Sequence, residues 1–331
     1  MASVQILDGG LGTSLQDKYG VKFDSSTPLW ASHLLVADPA TLQACQQDFV
    51  AAGTDVLLTA TYQVSAEGFE RTKTADFPSG VPKSAIGPFL RTALDVAEQA
   101  KASANTKIAL SLGPYGACMI PGQEPYFAGI SIDCASLREA EKNLIQRVQY
   151  VAFETLPRLD EVRAVRRAIR AAAIEVPFWI SCVFPEKDDV LPDGSSIEQV
   201  VSAAVDLREG AGAPWGIGIN CTKIHKLPNL VSKFGDSVAA RVAAGHLATA
   251  PCLVLYPDGT NGEIYNTSTQ TWERPTNARD DAKKRCPWEL QLAQVVQDAT
   301  ASGNFHSFLV GGCCKASHAD IEKLHDRLKN Q

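Results

Sequence analysis

No stretch of about 20 uncharged apolar residues runs through this chain, so it offers no candidate for a membrane-spanning helix. Positive charge is not in excess either: 31 Lys plus Arg stand against 37 Asp plus Glu, a net charge of -6. A nucleic-acid partner is therefore not expected, because phosphate recognition wants a basic face. The first eleven residues turn apolar at once, with no basic segment and too short an apolar core for a secretory signal. No internal repeat and no low-complexity linker divides the 331 residues, so one domain over 1–331 is expected. Cysteine, in contrast, is plentiful. There are 9, an odd number in a chain too long for a disulfide scaffold. That usage suits a reducing cytoplasm, with most thiols buried as small hydrophobes. A cluster among them would then serve a metal or catalysis rather than cross-linking.

Short, continuous apolar runs recur. Residues 4–7 end at Asp8-Gly9-Gly10, 55–58 at Thr59-Ala60-Thr61, 108–112 at Gly113-Pro114, and 150–153 at Glu154-Thr155. Residues 178–183 follow. Then come 216–219 ending at Asn220-Cys221, 252–256 ending at Pro257-Asp258, and 308–310 ending at Gly311-Gly312-Cys313-Cys314. Continuous rather than alternating runs suit strands buried on both faces, as in parallel sheets. Helical spacing falls at 39–52, 85–102, 159–173, 197–209, 288–301 and 319–328. Asp38 ahead of Pro39 reads as an N-cap with proline in the first turn. Arg163, Arg166, Arg167 and Arg170 read as a solvated helix face.

Eight such runs alternating with helices over this length give the arithmetic of an α/β fold of the (β/α)8 TIM-barrel type. An open doubly wound sheet is the rival. Its first turn should carry G-x-G-x-x-G, whereas this chain has Gly9-Gly10-Leu11-Gly12. Loops 114–133 and 257–287 are long and polar, and both follow strands, on the face where barrel enzymes carry their active sites.

The polar residues ending the runs would converge on that face: Asp8, Thr61, Glu154, Asn220, Cys221, Cys313 and Cys314. Strands six and eight both neighbour strand seven, so three thiols can meet despite having no zinc-finger spacing. Three thiolates and an open position are the donor set of a catalytic zinc, with Zn(II) or Cu(I) favoured over hard cations. The plain alternatives are a buried apolar Cys221, a core-filling or vicinally bonded Cys313-Cys314, and a turn role for Asp8. Glu154, directly after an apolar run, must be paired or solvated in the barrel mouth. His225 lies four residues after Cys221, but a strand there keeps it from serving as a ligand.

Taken in order, five motifs resemble the homocysteine S-methyltransferase family. They are Asp8-Gly9-Gly10 with Gly12-Thr13, Thr61-Tyr62-Gln63, Phe153-Glu154-Thr155, Gly218-Ile219-Asn220-Cys221 and Gly311-Gly312-Cys313-Cys314. The resemblance runs from residue 6 to about residue 321 and is specific in the combination of the last two motifs. It implies a (β/α)8 barrel, Zn2+ held by Cys221, Cys313 and Cys314, and methyl transfer to homocysteine to give methionine. Zinc deprotonates a bound thiol outright, so no catalytic residue is expected beyond the activated substrate thiolate. Asp8 and Glu154 would take the substrate ammonium, the Gly9 and Gly10 amides its carboxylate, and Asn220 would orient the loop or the substrate. The chain resembles the short, sulfonium-using forms, with S-methylmethionine expected first as donor and S-adenosylmethionine second. A sulfonium suits aromatic and carboxylate walls, for which Tyr62, Tyr115, Tyr126 and Phe127 are placed by loop position. Two departures stand out: a cramped stretch over 129–150, and Lys315-Ala316-Ser317 where relatives often have Arg-Thr. The competing readings are a thiol redox protein using a Cys313-Cys314 disulfide, and a barrel that binds metal without catalysis.

Overall fold

The computed structural model describes residues 2–24, 26–101, 105–118, 142–206, 213–260, 263–266, 271–273 and 286–330. Each of the eight apolar runs forms a strand: β1 (Ser3–Ile6), β2 (Val56–Leu58), β3 (Lys107–Leu112), β4 (Tyr150–Leu156), β5 (Phe178–Cys182), β6 (Gly216–Asn220), β7 (Cys252–Tyr256) and, after a two-stranded hairpin, β10 (Ser307–Val310). The hairpin, β8 (Ile264–Asn266) with β9 (Thr271–Glu273), is antiparallel and lies inside the long loop after β7.

The eight strands are parallel and ordered β1-β10-β7-β6-β5-β4-β3-β2. A parallel bridge from Leu7 to Val56 joins the two ends of that order. Two backbone bonds beside it, Asp55 N–H to the Ile6 oxygen at 2.8 Å and Asp8 N–H to the Val56 oxygen at 3.2 Å, complete the circuit. The result is the expected (β/α)8 barrel.

Side-chain alternation along each strand sorts the core into two layers. Leu7, Val56, Ala109, Ala152, Trp179, Val254 and Leu309 form one buried cluster, which fills the barrel. Their chain neighbours Ile6, Leu57, Ile108, Val151, Ile180, Leu253 and Phe308 belong to the other, beneath the helices. Tyr150, Trp179 and Trp215 pack ring on ring near the strand starts, with centroids 4.7 to 6.4 Å apart, and close the lower end of the barrel.

The helices are α1 (Leu11–Tyr19), α2 (Leu34–Ala37), α3 (Pro39–Ala51), α4 (Ala66–Arg71), α5 (Ile86–Ala100), α6 (Lys142–Ile145), α7 (Leu159–Ala171), α8 (Ile197–Val205), α9 (Leu227–Ala243), α10 (Trp288–Ala301) and α11 (His318–Lys329). Asp38 caps α3 as expected, accepting from the Thr41 amide at 3.1 Å. The α1, α2, α4 and α9 helices are additions to the segments read from the sequence. Of the α7 arginines, Arg163, Arg167 and Arg170 are exposed as expected, and Arg166 needs a correction. Arg166 is 1% exposed and donates to the carbonyls of Ala203 and Asp206 at 3.1 and 2.9 Å, so it satisfies the end of α8 rather than facing water. Of the stretch expected to be cramped, α6 is a single turn, and 129–141 lie outside the described residues. Among the described residues no helix is long and apolar enough to cross a membrane.

Candidate metal and substrate site

Parallel strands that start together also end together, so the residues after β6 and β10 meet at one mouth. The β6 strand carries Asn220 as its last residue and passes at once into Cys221, whose φ is 46°. A non-glycine residue is held there only where its surroundings determine it. After β10 the chain turns through Gly311 and Gly312, whose amides bond the Leu255 and Asp8 oxygens, both at 2.9 Å, before Cys313 and Cys314. The sulfurs of Cys221, Cys313 and Cys314 lie within 4.8 Å of one another. In this structure Cys221 and Cys313 are joined as a disulfide with Cα atoms 5.5 Å apart, and Cys314 lies beside them. The vicinal Cys313-Cys314 bond weighed from the sequence does not form. The partner comes from the strand two places along the barrel, at an ordinary Cα separation for a disulfide. Reduced, the three sulfurs make a soft donor set that could hold a metal ion.

Of the other described cysteines, Cys286 is exposed and three are buried. Cys45 and Cys252 are buried, and burial pushes their thiols up to about 12. The Cys182 thiol is raised further for the same reason. Burial keeps these three as thiols, and none of them is grouped with the three sulfurs at the mouth. His225 is exposed in a short turn after Cys221, 3.0 Å from Glu186, and is not grouped with the three sulfurs.

Two carboxylates share the mouth. Asp8 is 3% exposed and Glu154 5%. Asp8 Oδ2 accepts from the Leu58 amide at 2.8 Å, while its Oδ1 is buried and without a hydrogen-bond partner. Burial, together with the nearby Glu154, holds the Asp8 carboxyl well above the usual range. Glu154 is pushed up to about 7 by burial, opposed by hydrogen bonds from the Ser111 hydroxyl and Tyr256. The run from Tyr150 does not stop at Glu154: β4 continues to Leu156 through an irregularity between Phe153 and Leu156. Thr155 sits there at φ 61°. Such a bulge re-aims side chains, which accounts for successive polar residues inside a fully buried strand.

Asn220, expected to orient the loop or the substrate, bonds Thr155. Its Oδ1 accepts from the Thr155 amide at 2.8 Å and its Nδ2 donates to Thr155 Oγ1 at 2.6 Å. It thus locks the bulge of β4 against the end of β6. The Gly10 amide donates to the Ala316 oxygen at 2.9 Å, so it is not held open for a carboxylate as expected. Gly9 and Gly10 are needed for approach: a Cβ on either would collide with a main-chain oxygen, of Ala316 and Cys313 respectively. Ser111, Ser181 and Tyr256 were not singled out from the sequence. Each is a polar residue in or at the end of an apolar run, and together they line the barrel beneath the mouth. Ser181 Oγ and the Tyr256 hydroxyl share a hydrogen bond, and Trp179 Nε1 donates to that hydroxyl at 3.3 Å. Tyr62 packs on Gly113, and Tyr115 starts a short turn after β3. Tyr126 and Phe127 lie outside the described residues.

A family model described as homocysteine S-methyltransferase matches residues 5–328. The chain belongs to the homocysteine S-methyltransferase family. It is 26% identical to homocysteine S-methyltransferase 2 of Arabidopsis thaliana, over 98% of this chain and 93% of the relative. A selenocysteine Se-methyltransferase of Brassica oleracea var. italica is 27% identical, over 98% and 88%. Homocysteine S-methyltransferase YbgG of Bacillus subtilis is 26% identical, over 96% and 92%. The crystal structure of the homocysteine methyltransferase MmuM from Escherichia coli, in its metallated form, superposes with a TM-score of 0.70 at 23% identity, over 98% of this chain and 96% of that one. Its oxidized form gives the same values. The likeness to these structures is one of fold. Family membership makes the chain a methyltransferase whose acceptor class is homocysteine.

Proposed function

We propose that this methyltransferase moves a methyl group from a sulfonium donor to the thiolate of homocysteine held on a zinc ion, and releases methionine. The convergence of the Cys221, Cys313 and Cys314 sulfurs within 4.8 Å carries this reading. A tetrahedral zinc with Zn–S near 2.3 Å asks for sulfurs roughly 3.8 Å apart, so the three ligands are in reach once the disulfide is reduced. Zinc, when bound, would keep the incoming thiol deprotonated in its fourth position.

The chain's own residues position the acceptor. The unpartnered Asp8 Oδ1 and the buried Glu154 carboxylate take its ammonium, which replaces the hydration they have lost. Its carboxylate goes to the Gly9 amide and the amides of Leu11 and Gly12 in the first turn of α1, which have no intrahelical acceptor. Asn220 keeps Thr155, and with it Glu154, in place. In the transfer, a sulfur lone pair of the thiolate forms the new S–CH3 bond. The sulfonium–CH3 bond breaks with its electron pair left on the donor sulfur, and no proton moves, so no general base is needed. With S-methylmethionine both products are methionine. S-adenosylmethionine is the second donor, and Tyr62 and Tyr115 supply aromatic walls for either cation. Thiolate ligands fit a reducing cytoplasm, and residues 1–331 act as one domain.

The test is elemental analysis of the reduced protein, followed by methionine formation from homocysteine with S-methylmethionine, S-adenosylmethionine and glycine betaine in parallel. About one zinc per chain and turnover highest with S-methylmethionine are expected. Zinc without methylation would make the barrel a metal-binding protein. No zinc and no methylation, with reversible loss of two thiols, would make it a redox protein.

A further inference from the structure

The β7 strand contributes no sulfur to the cluster, yet the turn after it touches every segment that does. The Cys221 amide donates to the Tyr256 oxygen at 3.2 Å, and the Cys313 amide to the Pro257 oxygen at 2.8 Å. The Gly259 amide donates to the Cys314 oxygen at 2.8 Å, and the Asp258 amide to the oxygen of Thr222, next to Cys221, at 3.1 Å. The turn lies flush on the chain beyond Cys314: a Cβ at Gly259 would stand 2.7 Å from the Ala316 nitrogen and 2.8 Å from the Lys315 oxygen.

One side chain fixes this turn from the β6 side. Lys223 Nζ is 2.9 Å from Asp258 Oδ2, and it donates to Thr260 Oγ1 at 2.6 Å and to the Glu263 oxygen at 2.9 Å. An ammonium has three donors, and all three are committed here. The Lys223 and Asp258 side chains are 24% and 13% exposed, and the Trp288 indole N–H pins the Asp258 oxygen at 3.0 Å. Lys223 therefore ties the loop of Cys221 to the turn, and the turn holds Cys313 and Cys314.

We propose that the Lys223–Asp258 ion pair is the positioning device of the three-sulfur site. Through residues 257–260 it sets the separation of the Cys221 loop from the Cys313-Cys314 loop, and so how firmly the sulfurs close on a metal. This rests on the reading of these cysteines as the metal ligands. Backbone bonds at a barrel mouth compete with water, whereas a largely buried, fully bonded charge pair does not yield its geometry easily. Partners one step out from a metal are worth tenfold to a hundredfold in affinity.

The test uses the full chain, reduced and zinc-loaded, with zinc release to an excess of a chromophoric chelator as the readout. Lys223→Met, and the charge-neutral pair Lys223→Met with Asp258→Asn, should release zinc about tenfold to a hundredfold faster. Lys223→Arg, which keeps the charge and the donors, should restore slow release. Lys226→Met is the control. Lys226 is another nearly buried lysine, bonded to the Pro185 and Asp188 oxygens, and its loss should lower Tm and leave zinc release unchanged. A metal-free readout stands beside it: two glutathione thiols reduce the Cys221–Cys313 disulfide to two cysteine thiols and leave as glutathione disulfide. Lys223→Met and the charge-neutral pair should shift this equilibrium toward the reduced protein, because the loops no longer hold the thiols together, and Lys223→Arg should not. Wild-type behaviour of the charge-neutral pair in both measurements overturns the proposal. If wild-type protein holds no zinc, the metal reading falls, and the glutathione equilibrium alone decides whether the pair apposes the sulfurs.

Discussion

On the sulfur side of the barrel mouth, after β6 and β10, the cysteine segments themselves are held by backbone bonds, the amides of Cys221, Gly311, Gly312 and Cys313 all reaching main-chain oxygens of neighbouring strand ends, and the Lys223–Asp258 pair acts on them only through the turn at residues 257–260. On the carboxylate side, after β1 and within β4, side chains do the holding. Ser111 and Tyr256 hold Glu154, Asn220 holds Thr155, and Asp8 reaches across to the Leu58 amide. A sulfur cage held by backbone leaves the side chains free to exchange partners, so the same three atoms can bond to each other or converge on an ion. A carboxylate pair held by side chains cannot rearrange, and its buried, partly unmet charge is complementary to a cation of fixed shape.

The largest break in this comparison should come from the sulfur side. Cys313→Ala leaves two thiolate ligands and should purify with little zinc and no turnover, whereas Cys45→Ala, on the buried face of α3, should keep both. Metal content and methionine formation measured on the two proteins decide this. Full zinc in Cys313→Ala would remove the cysteine cage from the mechanism.

The carboxylate side should fail differently. Glu154→Gln should keep its zinc and lose about 1.5 to 3 kcal/mol of homocysteine recognition, roughly tenfold to a hundredfold in kcat/KM. The pH profile sharpens this. Glu154, raised to about 7 in the free protein, must be ionised to take an ammonium, so kcat/KM should fall as pH drops through 7, and the Gln variant should flatten that limb. Stability should run the opposite way. The folded state penalises the Glu154 anion, so the benefit of its neutral form is full below the unfolded value near 4.5 and is lost as pH rises through about 7. The Tm difference between wild type and Glu154→Gln, followed from pH 4.5 to 8, should therefore move against wild type as pH rises.

Asn220→Ala joins the two halves. It leaves the Thr155 amide and hydroxyl buried without partners, a cost of about 1–3 kcal/mol for each group left unsatisfied. Urea unfolding should show the loss, and zinc content should be retained. An unchanged unfolding midpoint would mean that the bulge at Thr155 does not depend on Asn220. The smallest effect is expected outside both halves: His225→Ala removes an exposed contact with Glu186 and should change stability by less than about 0.5 kcal/mol, with zinc unaltered.

What the amino-acid order alone determined is local and periodic. Continuous apolar runs ending in small or polar residues marked all eight barrel strands, because strands buried on both faces must be apolar throughout and must stop where the chain re-enters water. The same logic placed Asp8, Cys221, Cys313 and Cys314 at strand ends, and a shared strand direction put those ends at one mouth. Only the tertiary structure decided which partner each polar group finds. Cys221 meets Cys313 because β7, between their strands, spaces them; Arg166 is buried because α8 ends beside it; Asn220 turns to Thr155 because β4 bulges there. Bonded partners separated by 37 to 92 residues, whether by hydrogen bond or disulfide, leave no trace in a window of ten, since each group carries the same local pattern whether it meets water, a substrate or another strand.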